Sequence, residues 1–201
     1  MGKDRGERND PKRASGIRTF ICIEIPETIR VRIAALQNEL RQAEAQVSWT
    51  KPSNIHLSLK FLGDVPASRI ESVLAATGLA AAAHGAFEIE VRGAGCFPSP
   101  RSPRVLWVGV SGGLNPLREL QASIEDELAR SGFAREPKPF SPHLTIGRVR
   151  PGRTSSQVAE ELMLRRFEPE SFRAGAMIVM RSDLNPAGSI YTPLGVVPLG
   201  K

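Results

Sequence analysis

Ile55-His56-Leu57-Ser58-Leu59 and Pro142-His143-Leu144-Thr145-Ile146 are the two stretches that decide how this chain folds. Each is a short apolar run interrupted at alternate positions by one imidazole and one hydroxyl. In a strand, successive side chains point to opposite faces. His56 and Ser58 therefore share one face, with Leu57 and Leu59 packed behind it. His143 and Thr145 share a face in the same way, backed by Leu144 and Ile146. A lone histidine in a strand is usually packing or surface decoration. Here two of only three histidines stand in nearly identical strings, and that shifts the weight towards function.

Working outward, the first string is preceded by a β-branched strand at 17–25, ended by Pro26. Ile29, Ile33, Leu36, Leu40, Ala43 and Val47 then recur at helical spacing. After the His56 strand (55–61, closed by Gly63-Asp64) come a helix carrying Ile70, Val73 and Leu74 and an alternating strand at 87–91. The second string repeats this order. A strand at 104–110 follows a Pro-rich loop, and a helix is capped by Asn115 with Pro116 at its first position and stopped by Gly132. Then come the His143 strand (143–149), a helix opened by a capping box at Thr154-Ser155-Ser156-Gln157, and strand-like segments at 172–184 and 190–197. Arg18 precedes His56 by 38 residues, and Arg104 precedes His143 by 39. Strand, helix, His-bearing strand, helix, strand thus occurs twice, which predicts an α/β or α+β domain of two similar halves.

Composition sets the outer limits. At 201 residues, 41% hydrophobic and 24% charged, the chain suits one globular domain and excludes wholesale disorder. It has no apolar run of about 18 residues. Residues 1–16 are polar with no apolar stretch, so they read as a flexible basic leader, not a signal peptide, and a cytoplasmic location is expected. Cys22 and Cys96 cannot form a disulfide framework and read as buried, inert thiols. The net charge of +6 favours an anionic partner, nucleic acid first. Five cations (Arg135, Lys138, Arg148, Arg150 and Arg153) against Glu136 concentrate that charge near the second string. His84, at a predicted helix end, is explained by the helix dipole and is given no catalytic role.

A hydroxyl two residues from an imidazole can hold a phosphate oxygen while the imidazole moves a proton. Imidazole titrates near pH 6.5, so one copy can serve as base and the other as acid. Two such strands facing one another would flank a phosphorus atom and serve in-line displacement at a phosphodiester.

Arg18-Thr19-Phe20, Trp49, His56 to Gly63, Pro103 to Trp107, Phe140 to Arg148, Ser182-Asp183-Leu184 and Tyr191 form an ordered set. With it the chain, over 17–197, resembles the two-histidine phosphoesterase superfamily. Within that superfamily it resembles the RNA 2′,3′-cyclic phosphodiesterases, also called LigT-like or 2′-5′ RNA ligase-like proteins. Ser58 departs from the family's usual threonine: it keeps the hydroxyl and loses the methyl that restricts χ1. The resemblance implies an α+β fold, bilobed about a pseudo-twofold, with two antiparallel sheets lining a central basic cleft and helices outside. It implies that residues 17–201 form a single bilobed catalytic domain, a monomer, with no metal and no cofactor. It implies His56 as proton donor to the leaving 3′-oxygen, His143 as the base that activates water, and Ser58 and Thr145 as holders of the phosphate oxygens. Arg148 would meet substrate phosphate or base, and Phe61 would stack on a base. Strict alternation opposes both of these last roles, turning Arg148 to the Leu144 face and Phe61 into the core. The implied substrates are RNA ends or nucleotides bearing a 2′,3′-cyclic phosphate. Three readings stay open at this point: the hydrolase; a 2′-5′ RNA ligase or small cyclic-nucleotide phosphodiesterase on the same site; and an RNA-end-binding module without catalysis.

Overall fold

The computed structural model describes residues 16–42, 45–150, 155–186 and 188–200. The first half of the chain forms β1 (Ile17–Glu24), α1 (Glu27–Leu40), β2 (Val47–Trp49), β3 (His56–Val65), α2 (Ile70–Ala82) and β4 (Phe87–Phe97). The second half forms β5 (Val105–Gly112), α3 (Leu114–Arg130), β6 (His143–Val149), α4 (Ser155–Leu164), β7 (Glu170–Ala174), β8 (Ala176–Asp183) and β9 (Ile190–Pro198). All the paired strands are antiparallel, in the order β7-β4-β5-β6-β3-β1-β8-β9, with β2 added beside β6.

That order reads the same from either end about the β6–β3 junction. The two histidine strands sit at the centre, β5 and β1 flank them, and β4-β7 and β8-β9 complete the halves. The two sheets implied by the resemblance are the halves of one curled sheet, joined at the centre by the single residue pair Leu57 and Leu144. β4, the last strand of the first repeat, crosses over to pair with β5, while β8 returns to pair with β1. Each repeat thus completes the other's half, so the lobes share one core.

Alternation explains the layering. On β1, Ile21 and Ile23 enter the main core with the buried faces of all four helices. Phe20 and Cys22 point to the opposite face, where they pack with Ile178 and Met180 of β8 and with Tyr191. Each fully buried aliphatic side chain contributes about 1.5–3 kcal/mol relative to exposure. The main core therefore holds the helices on one face and leaves the other concave face open.

α1 and α3 match at four of their five buried positions: Ile29, Leu36, Gln37 and Leu40 on one, and Leu117, Ile124, Glu125 and Leu128 on the other. α3 ends in the Schellman arrangement. Gly132, at φ +77°, donates to the Ala129 carbonyl and Phe133 donates to that of Leu128. The start of α3 differs from expectation. Gly113 in left-handed conformation is the cap, which places Pro116 third in the helix, where its missing N–H still costs no intrahelical bond. α1 stops at Leu40, short of the periodic stripe. Ala43 lies outside the described residues, and Val47 is instead in β2, where pairing with Val149 overrides the helical period. The predicted 172–184 segment is two strands divided at Gly175, and β3 runs through Gly63-Asp64 to Val65. The capping box at Thr154, Arg153, and all of the leader except Gly16 lie outside the described residues.

Gly147 is where β2 packs closely on β6. A Cβ there would stand 2.8 Å from Val47 Cγ1 and 3.1 Å from Trp49 Cε3. Gly147→Ala should therefore lower stability by about 1–3 kcal/mol through overpacking of β2 on β6, read as a shift in the urea midpoint at constant m-value.

Candidate active site

The central strands open onto a cleft of about 470 Å³. His56, Ser58 and Phe61 of β3 face Thr145 and Arg148 of β6 across it, and Arg18 and Tyr191 close its side. His143 stands two residues before Thr145 on the same strand face, next to this lining and not among it. Both imidazoles are fixed by the same local device. His56 Nδ1–H donates to the Asn54 carbonyl at 2.8 Å, and His143 Nδ1–H donates to the Ser141 carbonyl at 2.7 Å. A carbonyl can only accept, so each neutral ring carries its proton on Nδ1 and keeps Nε2 free for a reacting group. Each ring also rests on a phenylalanine: Phe20 stacks on His56 with centroids 4.7 Å apart, and Phe97 meets His143 edge-on at 5.1 Å. The Asn54 side chain in turn donates to the Ser189 carbonyl, tying the loop that precedes His56 to the cleft wall.

Strict alternation fails for Phe61 and Arg148, and for one shared reason. In β3, Cys22 pairs with Ser58 and Ile21 with Lys60, so Leu59 is an extra residue. In β6, Trp107 pairs with Thr145 and Leu106 with Gly147, so Ile146 is extra. Each histidine strand thus carries a β-bulge three residues after its histidine, and a bulge resets which face the following side chains take. Phe61 leaves the core, is 47% exposed, and lines the cleft with the Arg18 guanidinium 4.5 Å above its ring. Arg148 turns to the cleft beside Thr145. The core positions by parity are taken by Lys60 and Gly147, both buried.

The bulges are braced from the opposite repeat. The carbonyl of Ile146 accepts from the Thr50 N–H at 3.1 Å and from Gln37 Nε2 of α1 at 2.8 Å. Lys60 Nζ donates to Glu125 of α3 and to the Ala134 carbonyl, each at 2.8 Å. Gln37 and Glu125 are the matching buried polar positions of the two helices. Sequence reading missed both, together with Arg18, Phe20 and Phe97. A lysine and a glycine inside two otherwise apolar strands were the available signals of irregular backbone.

Burial lowers the pKa of both histidines from 6.5. Arg30 near His56 and Arg148 near His143 lower it further, against the partial support of the carbonyl bonds. The unfolded chain therefore binds more protons than the folded one below pH 6.5. The stability from keeping both rings neutral is fully present above 6.5 and is lost as pH falls through the lowered values. The wild-type Tm should accordingly drop more between pH 7 and 5 than that of a His56→Gln/His143→Gln variant. Equal slopes would show that the rings do not titrate this way.

Burial pushes the Cys22 thiol up to about 12 and raises that of Cys96, so neither is a nucleophile. His84 bonds Ser123 of α3 at 2.8 Å, away from the cleft. Of the described cations in the basic run, Arg135 is spent on Asp126 and only Arg148 lines the cleft. Among the described residues no group of three or more His, Cys, Asp or Glu side chains could hold a metal ion, and no helix is long and apolar enough to cross a membrane.

An RNA 2′,3′-cyclic phosphodiesterase of Methanothermobacter thermautotrophicus is 39% identical over 189 residues, covering 91% of this chain and 99% of that protein. One from Archaeoglobus fulgidus is 34% identical over 185 residues, covering 90% and 99%. Among solved structures, E. coli LigT complexed with NADP+ superposes with a TM-score of 0.73 at 26% identity, over 93% of this chain and 99% of LigT. LigT complexed with 3′-AMP gives 0.72 at 25%, over 92% and 99%. The sequence profile of the 2′-5′ RNA ligase superfamily matches residues 25–186. With its curled antiparallel sheet, two matching histidine strands and this span of similarity, the chain belongs to the 2′-5′ RNA ligase superfamily.

Proposed function

We propose that the protein is an RNA 2′,3′-cyclic phosphodiesterase that opens terminal cyclic phosphates to 2′-phosphomonoesters. The observation that carries this reading is the matched pair of Nδ1–H bonds, which leaves a free Nε2 on each of two central, symmetry-related strands. In this mechanism His143 Nε2 takes a proton from water as the water oxygen bonds to phosphorus. The P–O3′ bond breaks, and His56 Nε2 gives its proton to the departing oxygen. Ser58 and Thr145 hydroxyls hold the non-bridging oxygens as charge builds on them. Phe61, capped by Arg18, offers a face for the terminal base, and Arg148 supplies positive charge. A cytoplasmic location goes with this reading, since its substrate is RNA.

The chain's own acid, base and oxygen-holding groups are sufficient for this route, so no metal enters it. The test is an RNA oligonucleotide ending in a 2′,3′-cyclic phosphate, incubated with the protein in excess EDTA. A 2′-phosphate product with an unchanged rate is the expected result. A 3′-phosphate product, or a rate abolished by EDTA, overturns the reading. Joining to a 5′-hydroxyl RNA is the same chemistry with that hydroxyl in place of water, its proton going to His143 as its oxygen bonds to phosphorus. Adding such an RNA to the assay shows whether the site also runs as a ligase.

A further inference from the structure

Beyond the His56 ring lies a second cavity of about 390 Å³, which shares Asn54, His56, Ser189 and Tyr191 with the first. Its own walls carry Arg30, Lys51 and Glu24, with Ile190 and Pro193 supplying apolar surface. Arg30 is the unusual member. Its side chain is only 20% exposed, its nearest carboxylate is Glu27 at 3.7 Å, and its Nε is buried with no acceptor. Burying a guanidinium N–H unpaired is costly, and an arginine held this way beside a cavity suits an anion that completes it. Lys51 adds a second, exposed cation, while the Glu24 carboxylate offers an acceptor to a hydroxyl and excludes a second anion.

We infer that this cavity is a subsite for the phosphate on the 5′ side of the terminal nucleotide, held by Arg30 and Lys51. The inference rests on the hydrolase reading above and extends it. A ribose whose 2′ and 3′ oxygens are both tied into a cyclic phosphate continues into RNA only through its 5′ oxygen. The group that occupies the cavity next to His56 while the cyclic phosphate is in the first cleft is therefore the 5′ phosphate, with the preceding nucleotide attached to it. The site thereby separates RNA ends from free nucleoside cyclic phosphates.

The probes are cytidine 2′,3′-cyclic phosphate with and without a 5′-phosphate. The readout is the ratio of their kcat/KM values within each protein, so any common effect on His56 cancels. The 5′-phosphate should raise kcat/KM of the wild type by about tenfold to a hundredfold, the range expected of hydrogen bonds to a charged group. In Arg30→Gln/Lys51→Gln the ratio should fall to near one, and in Lys51→Gln alone it should fall several-fold. In the wild type the ratio should also decline with salt, as screening weakens the attraction to the 5′-phosphate. A wild-type ratio near one, or an undiminished ratio in the double variant, overturns the subsite. Failure of the wild type to open either probe overturns the hydrolase reading instead.

Discussion

His143→Ala and His56→Ala should each lower kcat/KM for a cyclic-phosphate RNA by about 10²- to 10⁴-fold, the usual contribution of a positioned acid or base. Neither ring is fully buried: His56 packs against Phe20 and Tyr191, His143 packs against Phe97, and the backbone bond of each is made by Nδ1. Both variants should therefore keep wild-type circular dichroism and a Tm near that of the parent. The double variant should fall little further than either single one, because removing half of an acid–base pair already disables it. The pH dependence carries a second signature. In the proposed mechanism one ring is protonated and one neutral, so kcat/KM should be bell-shaped, with limbs that belong to the pair. Both pKa values are lowered in the free protein by burial and by Arg30 and Arg148, which moves the kcat/KM maximum to the acid side of 6.5. A bound phosphate anion favours the protonated rings, so the kcat maximum should sit at higher pH. Full activity in His143→Ala, or a flat profile between about pH 5 and 9 around the unperturbed value of about 6.5, would remove the two-histidine mechanism.

The division of labour between sequence and tertiary structure is sharpest at Phe61 and Arg148. Alternation is a local rule, and it places His56 with Ser58 and His143 with Thr145 correctly, since the first three residues of each string lie in regular ladder. It then fails from Lys60 and Gly147 onward. A bulge is a property of two strands in register, invisible in either one alone. The resemblance to a family implied the cleft positions that alternation denied, and the bulges give the physical cause of those positions. α1 fails differently: a 3.6-residue period continues on paper through about two more turns to Val47, but the Val-Ser-Trp segment pairs with β6 instead. The duplication was legible from the order of elements, whereas the exchange of β4 and β8 between halves was not. No local signal tells a strand which half it will complete.

Lys60 and Glu125 carry the largest expected effect on stability. Lys60 occupies the core side of β3 beside the bulge, with its side chain 3% exposed, and Glu125 is 10% exposed. Besides Lys60, the carboxylate accepts the Glu136 N–H at 3.1 Å and Gln121 Nε2 at 3.2 Å. Lys60→Met alone strands a carboxylate, and Glu125→Leu alone strands an ammonium. Each should cost about 3–5 kcal/mol, since an uncompensated buried charge is worse than none. The double variant Lys60→Met/Glu125→Leu removes both charges and should recover most of that loss, measured as the urea midpoint. Single variants costing under about 1 kcal/mol would show that the pair is not a buried brace. Recovery of stability should not bring recovery of activity. The Ala134 carbonyl and Glu136 N–H begin the loop that delivers His143, and the pair ties that loop to β3, the strand of His56. With the tie gone the two histidine strands lose their common reference. The stable double variant should keep KM within a few-fold and lose kcat, because a misplacement of about 1 Å can cost about 10²-fold in rate.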